Sequence, residues 1–534
     1  LIFVLWLVAL PAQVTFESSY LPILVVTTAN GTAIPNEPKI DAHLGIIWNG
    51  EGELNHLTDP FNHYDGKIGI EARGSSSQFL FPKKGYAVET LLPDGSNNNV
   101  SLFGFPAEND WVLHGPYSDK SLMRNALSYI VAGWLMEYAP RVRFCEVVIG
   151  GDYQGVYLFT EKIKRDDNRV NIATLSPDEN TGDDLTGGYI LKFDKWDGAF
   201  NDGFPSKYPP FPGATSTTTF QYHYPKPEDI SPQQKDYLRN HIDAMEDVLV
   251  SPAFADPLTG YRHYFDLPAF YHFFFVQEMS RNVDGYRLST FFYKDKDSKN
   301  GKWKMGPVWD FNLGYGNVNY CTGPGTSGWA IDFPDFCPND FLPHFWWKRL
   351  WQDPAFLQEM SARWIDLRND TLANDRIFHL IDSLEALLKA PAARNFKRWN
   401  VLGQYVWPNS YVGNTYKQEV DYLRNWLAAR LAWMDKAMEA IASPVSVASD
   451  YVQPVVSPNP FRDELVFEYY VRSKDPVRID IFNYSGQVVE TLFDRQHPGG
   501  SNSLRWQSDL PAGIYFYRIW IDNTVVKAGK VVKN

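Results

Sequence analysis

"KMGPVWDFNLGYGN" (304–317) interrupts the helical part of the chain. From about Leu21 the pattern is β; from about residue 231 it turns mainly helical, two short strand candidates intervene here, and helices resume from about Leu342 to Met438. The stretch itself reads as the end of a short strand, "WKMGPVWDF", followed by a glycine-bracketed turn at Gly314 to Gly316. At that strand end a carboxylate, Asp310, stands between Trp309 and Phe311. Aspartate is seldom set among aromatic residues unless a partner holds it there.

Upstream of this stretch, "RNVDGY" places Asp284 just after an aromatic helix, "DLPAFYHFFFVQEMS". Between Asp284 and Asp310 the runs "LSTFFYKD" and "WKMGPVWDF" suggest a β-hairpin, which would bring the two carboxylates together. Further upstream, "LPILVVTTANG", "AHLGIIWNG", "KIGIEARG" and "KKGYAVET" are short strand-like runs punctuated by turn residues. "DKSLMRNALSYIVAGWLMEYA" has Leu122, Ala126, Ile130 and Trp134 near helical spacing, with Asp119 placed to cap. "CEVVIGGDYQGVYLFTEKI" predicts a hairpin turning at Gly150-Gly151-Asp152, and "GGYILKFDK" another strand. "SPQQKDYLRNHIDAMEDVLV" opens with Ser231 as cap, Pro232 at the first helical position and Gln234 three residues after the cap. A β-rich region leading into a helical one predicts an α+β domain of two lobes, with a cleft between them as the ligand site.

The whole chain has 534 residues, enough for two or three domains. Its net charge of -13 disfavours nucleic acid or an anionic membrane as the main partner, though not one local basic pocket for phosphates. Aromatic residues make up 16%, which fits a heavily aromatic core and also a surface that grips extended ligands. Cys321 and Cys337 flank "CTGPGTSGWAIDFPDFC" and can close a loop, while Cys145 sits in a strand-like run and reads as a free core thiol. With no CxxC, no HExxH and no metal-ligand spacing among the eleven histidines, structural zinc is not expected.

"LIFVLWLVALPAQ" (1–13) matches the apolar region and cleavage site of a secretory signal peptide without its basic start. No later segment is long and apolar enough to be transmembrane. The main domain is expected over 18–442, followed by a Ser/Val/Pro-rich linker over 443–456. Beyond it the period changes to two: Val477, Ile479 and Ile481 alternate with Arg478 and Asp480, with a turn at Ser485-Gly486. Residues 457–534 therefore predict a small all-β sandwich.

The common nucleotide signatures GxxxxGK[ST], His-Arg-Asp and Asp-Phe-Gly are absent. The parts that phosphoryl transfer needs are nonetheless present: cations for phosphate oxygens, carboxylates for a metal, and a carboxylate near the acceptor hydroxyl. "EARGSSSQFLFPKKGYAVE" holds Arg73, a Gly-Ser-Ser-Ser turn that includes Ser75, and Lys83 and Lys84 entering a strand. Structural readings stand beside these: Asp310 and Arg73 in ion pairs, Asp284 in an Asp-Gly turn, and Lys84 as a solvated strand lysine with Lys83 as its rival.

The tail resembles the C-terminal sorting domain of the type IX secretion system of Bacteroidetes through "SPNPF" (457–461), "VRIDIFNYSGQVV" (477–489), "LPAGIYFYRI" (510–519) and "KAGKVVKN" (527–534). That resemblance implies export through the outer membrane by this machinery, to a secreted or surface-attached location. The main domain resembles the CotH kinase family. The matching blocks run in order: "LPILVVTT", "ARGSSSQ" with "KKGYAVE", "DWVLHGPYSDKSLMRNALSY", "GDYQGVYLFTEKIKRDDNRV", "GGYILKFDK", "NVDGY" with "TFFYKD", and "GPVWDFNLGYGN". The resemblance implies an atypical kinase-like fold that transfers the γ-phosphate of ATP, with Mg²⁺ or Mn²⁺, to Ser or Thr of a protein substrate. It makes Asp310 the metal ligand, with Asn312 beside it, and Asp284 the catalytic-loop carboxylate. It makes Lys84 and Arg73 phosphate contacts, Ser75 part of the phosphate-facing turn, and Glu161 a residue of a nucleotide-contacting block.

Two departures bear on activity. The family commonly shows Asp-x-Asp where this chain has Asp310-Phe311-Asn312, and an oxygen ligand is kept while a charge is lost. After Asp284 the family often offers an Asn as second metal ligand, whereas "GYRLSTFF" offers Ser289 or Thr290. A catalytically inactive surface protein using the same fold to bind or scaffold, for instance on polysaccharide, is therefore the alternative to an active kinase. A glycoside hydrolase using paired carboxylates is a third reading, against which no repeated strand–helix barrel pattern is visible.

Overall fold

The computed structural model describes residues 14–196, 202–211, 214, 216–335, 337, 343–442, 454–471, 475–483, 487–497, 500–521 and 524–534. The segment 1–13 expected as a signal peptide, residues 443–453 of the expected linker 443–456, and the expected turn at Ser485-Gly486 lie outside the described residues, and the last linker positions enter the strand Val455–Ser457. The chain divides into two compact units, Leu1–Met438 and Glu439–Asn534. The fold is α+β, with helices and sheets mixed in the first unit and only sheets after residue 454.

The β-rich half of the first unit closes on itself. Ile23–Thr28, Ile40–Ile47, Tyr64–Arg73, Gly85–Thr90, Asp110–His114, Asp152–Glu161 and Val142–Ile149 follow one another round a barrel. A parallel pairing of Ile23–Thr28 with Val142–Ile149 completes the ring. Its interior is filled by alternate residues such as Leu44, Ile46, Ile70, Val88, Trp111 and Phe159, so the barrel is a packed core. The hairpin between the last two strands turns at Gly150 and Gly151, whose φ of 57° and 83° are the left-handed values a tight hairpin turn needs.

A second, five-stranded antiparallel sheet carries most of the site. Its order is Gly203–Pro205, Thr219–Tyr224, Tyr189–Phe193, Thr290–Lys294, Lys304–Met305. The expected hairpin between Asp284 and Asp310 is its edge, with Phe292 opposite Met305. The strand is shorter than the sequence suggests: it stops at Met305, and Asp310 lies in the loop beyond rather than at a strand end. Pro307 has no N–H to give to a ladder, which ends the pairing there.

The helices follow their local signals closely. Pro232–Val250 begins with a capping box, in which Ser231 Oγ accepts the Gln234 N–H and the Gln234 side chain accepts the Ser231 N–H. Leu267–Ser280 is buried on nearly every side and ends in a left-handed Arg281. The helix expected from Asp119 onward is confined to Arg124–Gly133. Asp119 still serves its start, accepting the Arg124 N–H at 2.9 Å. Asn374–Arg398 and Tyr416–Ala442 supply the long helices of the second half.

In the second unit a three-stranded sheet (Val455–Ser457, Glu464–Val471, Gly500–Gln507) and a four-stranded sheet (Val488–His497, Asp475–Phe482, Gly513–Ile521, Thr524–Lys533) share one core. The alternating Val477, Ile479 and Ile481 point into it, as their period predicts. Cys321 and Cys337 are joined in a disulfide, and Cys145 is a buried free thiol.

Candidate active site

A cavity of about 1180 Å³ opens between the barrel and the five-stranded sheet. Arg73, the 74–78 turn and His114 line it from the barrel; Asp194, Lys195, Asp284, Arg287, Asp310 and Asn312 line it from the sheet side. Of the site residues expected from sequence, Arg73, Ser75, Asp284, Asp310 and Asn312 meet here.

The aromatic neighbours of Asp310 explain its position. Trp309 stacks on Tyr129 of the Arg124–Gly133 helix, with ring centres 5.7 Å apart, and Phe311 is fully buried. The Asp310 N–H donates to the Tyr129 hydroxyl at 3.1 Å, and the Phe311 N–H to Asn125 Oδ1 at 2.7 Å. Held on both sides, Asp310 adopts φ 61°, a left-handed conformation costing an Asp on the order of 1 kcal/mol or more. The rings anchor the loop while the carboxylate keeps one face toward the cavity.

Asp284 follows the left-handed Arg281 that ends its helix. Its carboxylate pairs with Arg287 at 3.0 Å. Asn282 ties the two acidic loops together: its amide donates to the Asp310 carbonyl at 3.0 Å, and its oxygen accepts the Asp284 N–H at 3.3 Å.

The charges are unevenly matched. Burial pushes the Asp310 carboxyl up to about 7; the negative charges of Asp284 and Asp194 add to this, and Arg73 and Lys195 oppose it. Asp284 is also raised, first by burial and against the pull of Arg287 and Lys195. The Arg73 guanidinium lies over the Trp309 ring at 5.5 Å and makes no hydrogen bond or ion pair among the described residues. It is a cation facing a cavity with its donors unspent.

Two expected residues are placed elsewhere. Lys84 does not line the cavity: its ammonium donates to the carbonyls of Gln78 at 2.5 Å and Phe81 at 2.7 Å, fastening the short Ser76–Leu80 helix to the strand. Lys83 does line it, but its ammonium is bound to the Val156 carbonyl at 2.6 Å and Asn395 Oδ1 at 2.8 Å. Glu161 is fully buried and takes two bonds from the Arg141 guanidinium at 2.9 and 3.1 Å, away from the cavity. His114 borders the cavity, and burial lowers it to about 4, so it is neutral near pH 7.

Asp194, Lys195, Asn282 and Arg287 are site residues that sequence reasoning did not single out. Asp194 and Lys195 stand in "GGYILKFDK", where a carboxylate at a strand end was the available signal. Lys195 donates to Ser76 Oγ at 2.9 Å, bridging the sheet side to the barrel's turn.

Among the described residues, no three His, Cys, Asp or Glu side chains converge to hold a metal by themselves. A cation here would need one or two carboxylates, an amide oxygen, and oxygens from a ligand or water. That is the way Mg²⁺ is commonly held beside phosphates, and Asp310 with Asn312 fits it.

Fold and cavity thus define an α+β protein with an acidic site facing an unpaired arginine, joined to an all-β tail. The family model described as CotH kinase protein matches residues 70–434, and that described as secretion system C-terminal sorting domain matches 455–534. The chain belongs to the CotH kinase protein family and carries a type IX sorting domain at its tail. The sorting domain implies interaction with the secretion machinery and supports a secreted or cell-surface location. No helix among the described residues is long and apolar enough to cross a membrane. No curated protein matches the chain. Among solved structures, Pseudomonas fluorescens alkylpurine DNA glycosylase AlkC, bound to DNA containing an abasic site analog, aligns at 10% identity. That alignment covers 38% of this chain and 67% of that one with a TM-score of 0.13, and carries no argument about fold or function.

Proposed function

We propose that the chain is an exported, bilobed, kinase-like enzyme that transfers the γ-phosphate of ATP to Ser or Thr of extracellular proteins. The observation that carries this reading is that Arg73, with no hydrogen bond or ion pair among the described residues, lines one cavity with Asp284 and Asp310. ATP with Mg²⁺ or Mn²⁺ would supply the transferable group and the charge that offsets its oxygens.

The chain's own residues would divide the work as follows. Asp310 and the Asn312 side-chain oxygen hold the cation. Arg73 and Lys195 meet phosphate oxygens from opposite walls, and the turn at Ser75 closes over them. Asp284, with one oxygen kept by Arg287 at 3.0 Å, offers the other to the proton of the acceptor hydroxyl. Lys84 acts indirectly, by holding the turn in place.

The test is incubation of the purified protein with labelled ATP, Mg²⁺ or Mn²⁺ and a Ser-rich protein, beside Asp310→Ala. Label transferred by the wild type and lost in the variant supports the reading; absence of both transfer and nucleotide binding refutes it.

A second reading, an inactive relative that binds or scaffolds at the cell surface, is favoured by Asn312 and by an aromatic ledge at the cavity rim. There Tyr320 and Trp407 stack at 6.2 Å, with Trp407 46% exposed and so open to a sugar ring. Nucleotide binding without transfer, together with retention on polysaccharide, is its expected signature.

A further inference from the structure

Protein kinases hold their metal ions with an aspartate and with the amide that closes the spacing D-x-x-x-x-N after the acceptor-facing aspartate. In this chain that spacing, counted from Asp284, falls on Ser289. The next residue offers no substitute, because the Thr290 hydroxyl is buried and donates to the Leu288 carbonyl at 3.1 Å. On sequence alone the amide is missing, and Ser289 offers only a hydroxyl in its place.

The sheet brings a further oxygen donor from elsewhere. Tyr189–Phe193 runs antiparallel to Thr290–Lys294, and the pairing ends at Phe193 opposite Thr290. The next residue on each strand, Asp194 and Ser289, therefore emerges at the same end of the sheet, and both line the cavity. The Asp194 backbone is pinned there by Gln221, whose amide donates to its carbonyl at 2.6 Å. Its side chain is only loosely engaged: one oxygen accepts the Lys195 N–H at 2.9 Å, and the other lies 3.5 Å from the Lys192 ammonium. It is 28% exposed, so a ligand in the cavity can reach it. It lines the same cavity as Asp284 and Asp310.

We propose that Asp194 supplies a further carboxylate oxygen to the cation that Asp310 and Asn312 hold, replacing the amide absent at Ser289. This rests on the nucleotide-binding reading above and extends it. The exchange also restores a charge: the site that loses one at Asn312 regains one at Asp194, which strengthens its hold on a divalent ion.

The experiment measures Mn²⁺ binding to the full chain in the presence of ATP, by the electron paramagnetic resonance signal of free Mn²⁺. ATP binding in EDTA is measured in parallel. Asp194→Ala is expected to weaken Mn²⁺ binding roughly 10- to 100-fold. Asp194→Asn, which keeps an oxygen and the same shape, retains part of it. ATP binding in EDTA stays the same in both variants, which separates loss of a donor from loss of fold. Mn²⁺ binding by Asp194→Ala equal to wild type, while Asp310→Ala loses it, overturns the proposal and leaves the kinase reading intact. A wild type that binds neither Mn²⁺ nor ATP overturns both.

Discussion

Asn282 holds Asp310: the amide of the first donates to the carbonyl of the second at 3.0 Å, although 28 residues separate them in the chain. The same side chain accepts the Asp284 N–H at 3.3 Å, so one buried residue sets the spacing of both acidic loops. Asn282→Ala is expected to leave the Asp310 carbonyl without its donor, at a cost of about 1–3 kcal/mol. Transfer activity and Mn²⁺ affinity should fall together. Asp284→Asn, by contrast, should cut transfer while Mn²⁺ affinity is largely kept. Thermal melting, Mn²⁺ titration and labelled-ATP transfer on both variants check this.

The Arg73 guanidinium lies over the Trp309 ring at 5.5 Å and makes no hydrogen bond among the described residues. Arg73→Met should weaken ATP binding about tenfold or more, the worth of a hydrogen bond to a charged group. Arg73→Lys should not restore it, because a lysine neither stacks on the indole in the same way nor offers a planar fork to phosphate. Calorimetric titration with ATP reads both variants.

Glu278 and Arg430 form a fully buried pair at 2.9 Å, and Arg430 also donates to the carbonyls of Glu278 and Gly328, both at 2.7 Å. Removing one partner leaves the other charge buried, so Arg430→Met is expected to destabilise the fold by about 3–5 kcal/mol. The double variant Glu278→Leu with Arg430→Met should lose less than the sum of the two single variants. Denaturant midpoints of the three proteins decide it.

His241 is enclosed by the rings of Tyr237, Tyr264 and Trp303, and its Nε2 has no hydrogen-bond partner. Burial, with help from Lys294, lowers it to about 4. The unfolded chain therefore takes up a proton near the ordinary pKa of 6.5, which the folded chain refuses until about 4. The contribution of this residue to stability is intact above that window and declines as pH falls through it, by about 2 kcal/mol at pH 5. His241→Phe should flatten the acid limb by that amount relative to wild type, in unfolding curves collected between pH 7 and pH 4.5.

Much of the local structure was legible because its causes are local. Ser231, Pro232 and Gln234 announce a helix start by chemistry within four residues, and Gly150-Gly151 announces a hairpin by backbone freedom. Asp310 stood out because it is a carboxylate set between two aromatic residues, and Asp284 because it follows a helix and a hairpin would bring it to Asp310. Lys84 and Glu161 were harder to place, since a residue's neighbours in sequence do not say which way its side chain points. Lys84 turns back onto the carbonyls of its own turn, and Glu161 turns inward to Arg141.

The sequence by itself determined the α+β character, the period-two sandwich of the tail, the family, and the two carboxylates around which the site is built. Only the tertiary structure decided that the β-rich half closes into a barrel, that Arg73 makes no ion pair among the described residues, that Asp194 and Lys195 line the cavity of Asp284 and Asp310, and that Asn282 ties the two acidic loops together. The reason is physical. Caps, turns and periodicity arise from forces acting over a few residues, whereas strand pairing and charge coupling depend on distances in space. Asp194 and Asp310 share an electrostatic environment because a sheet brings them together, and nothing in the stretch around either one records the other.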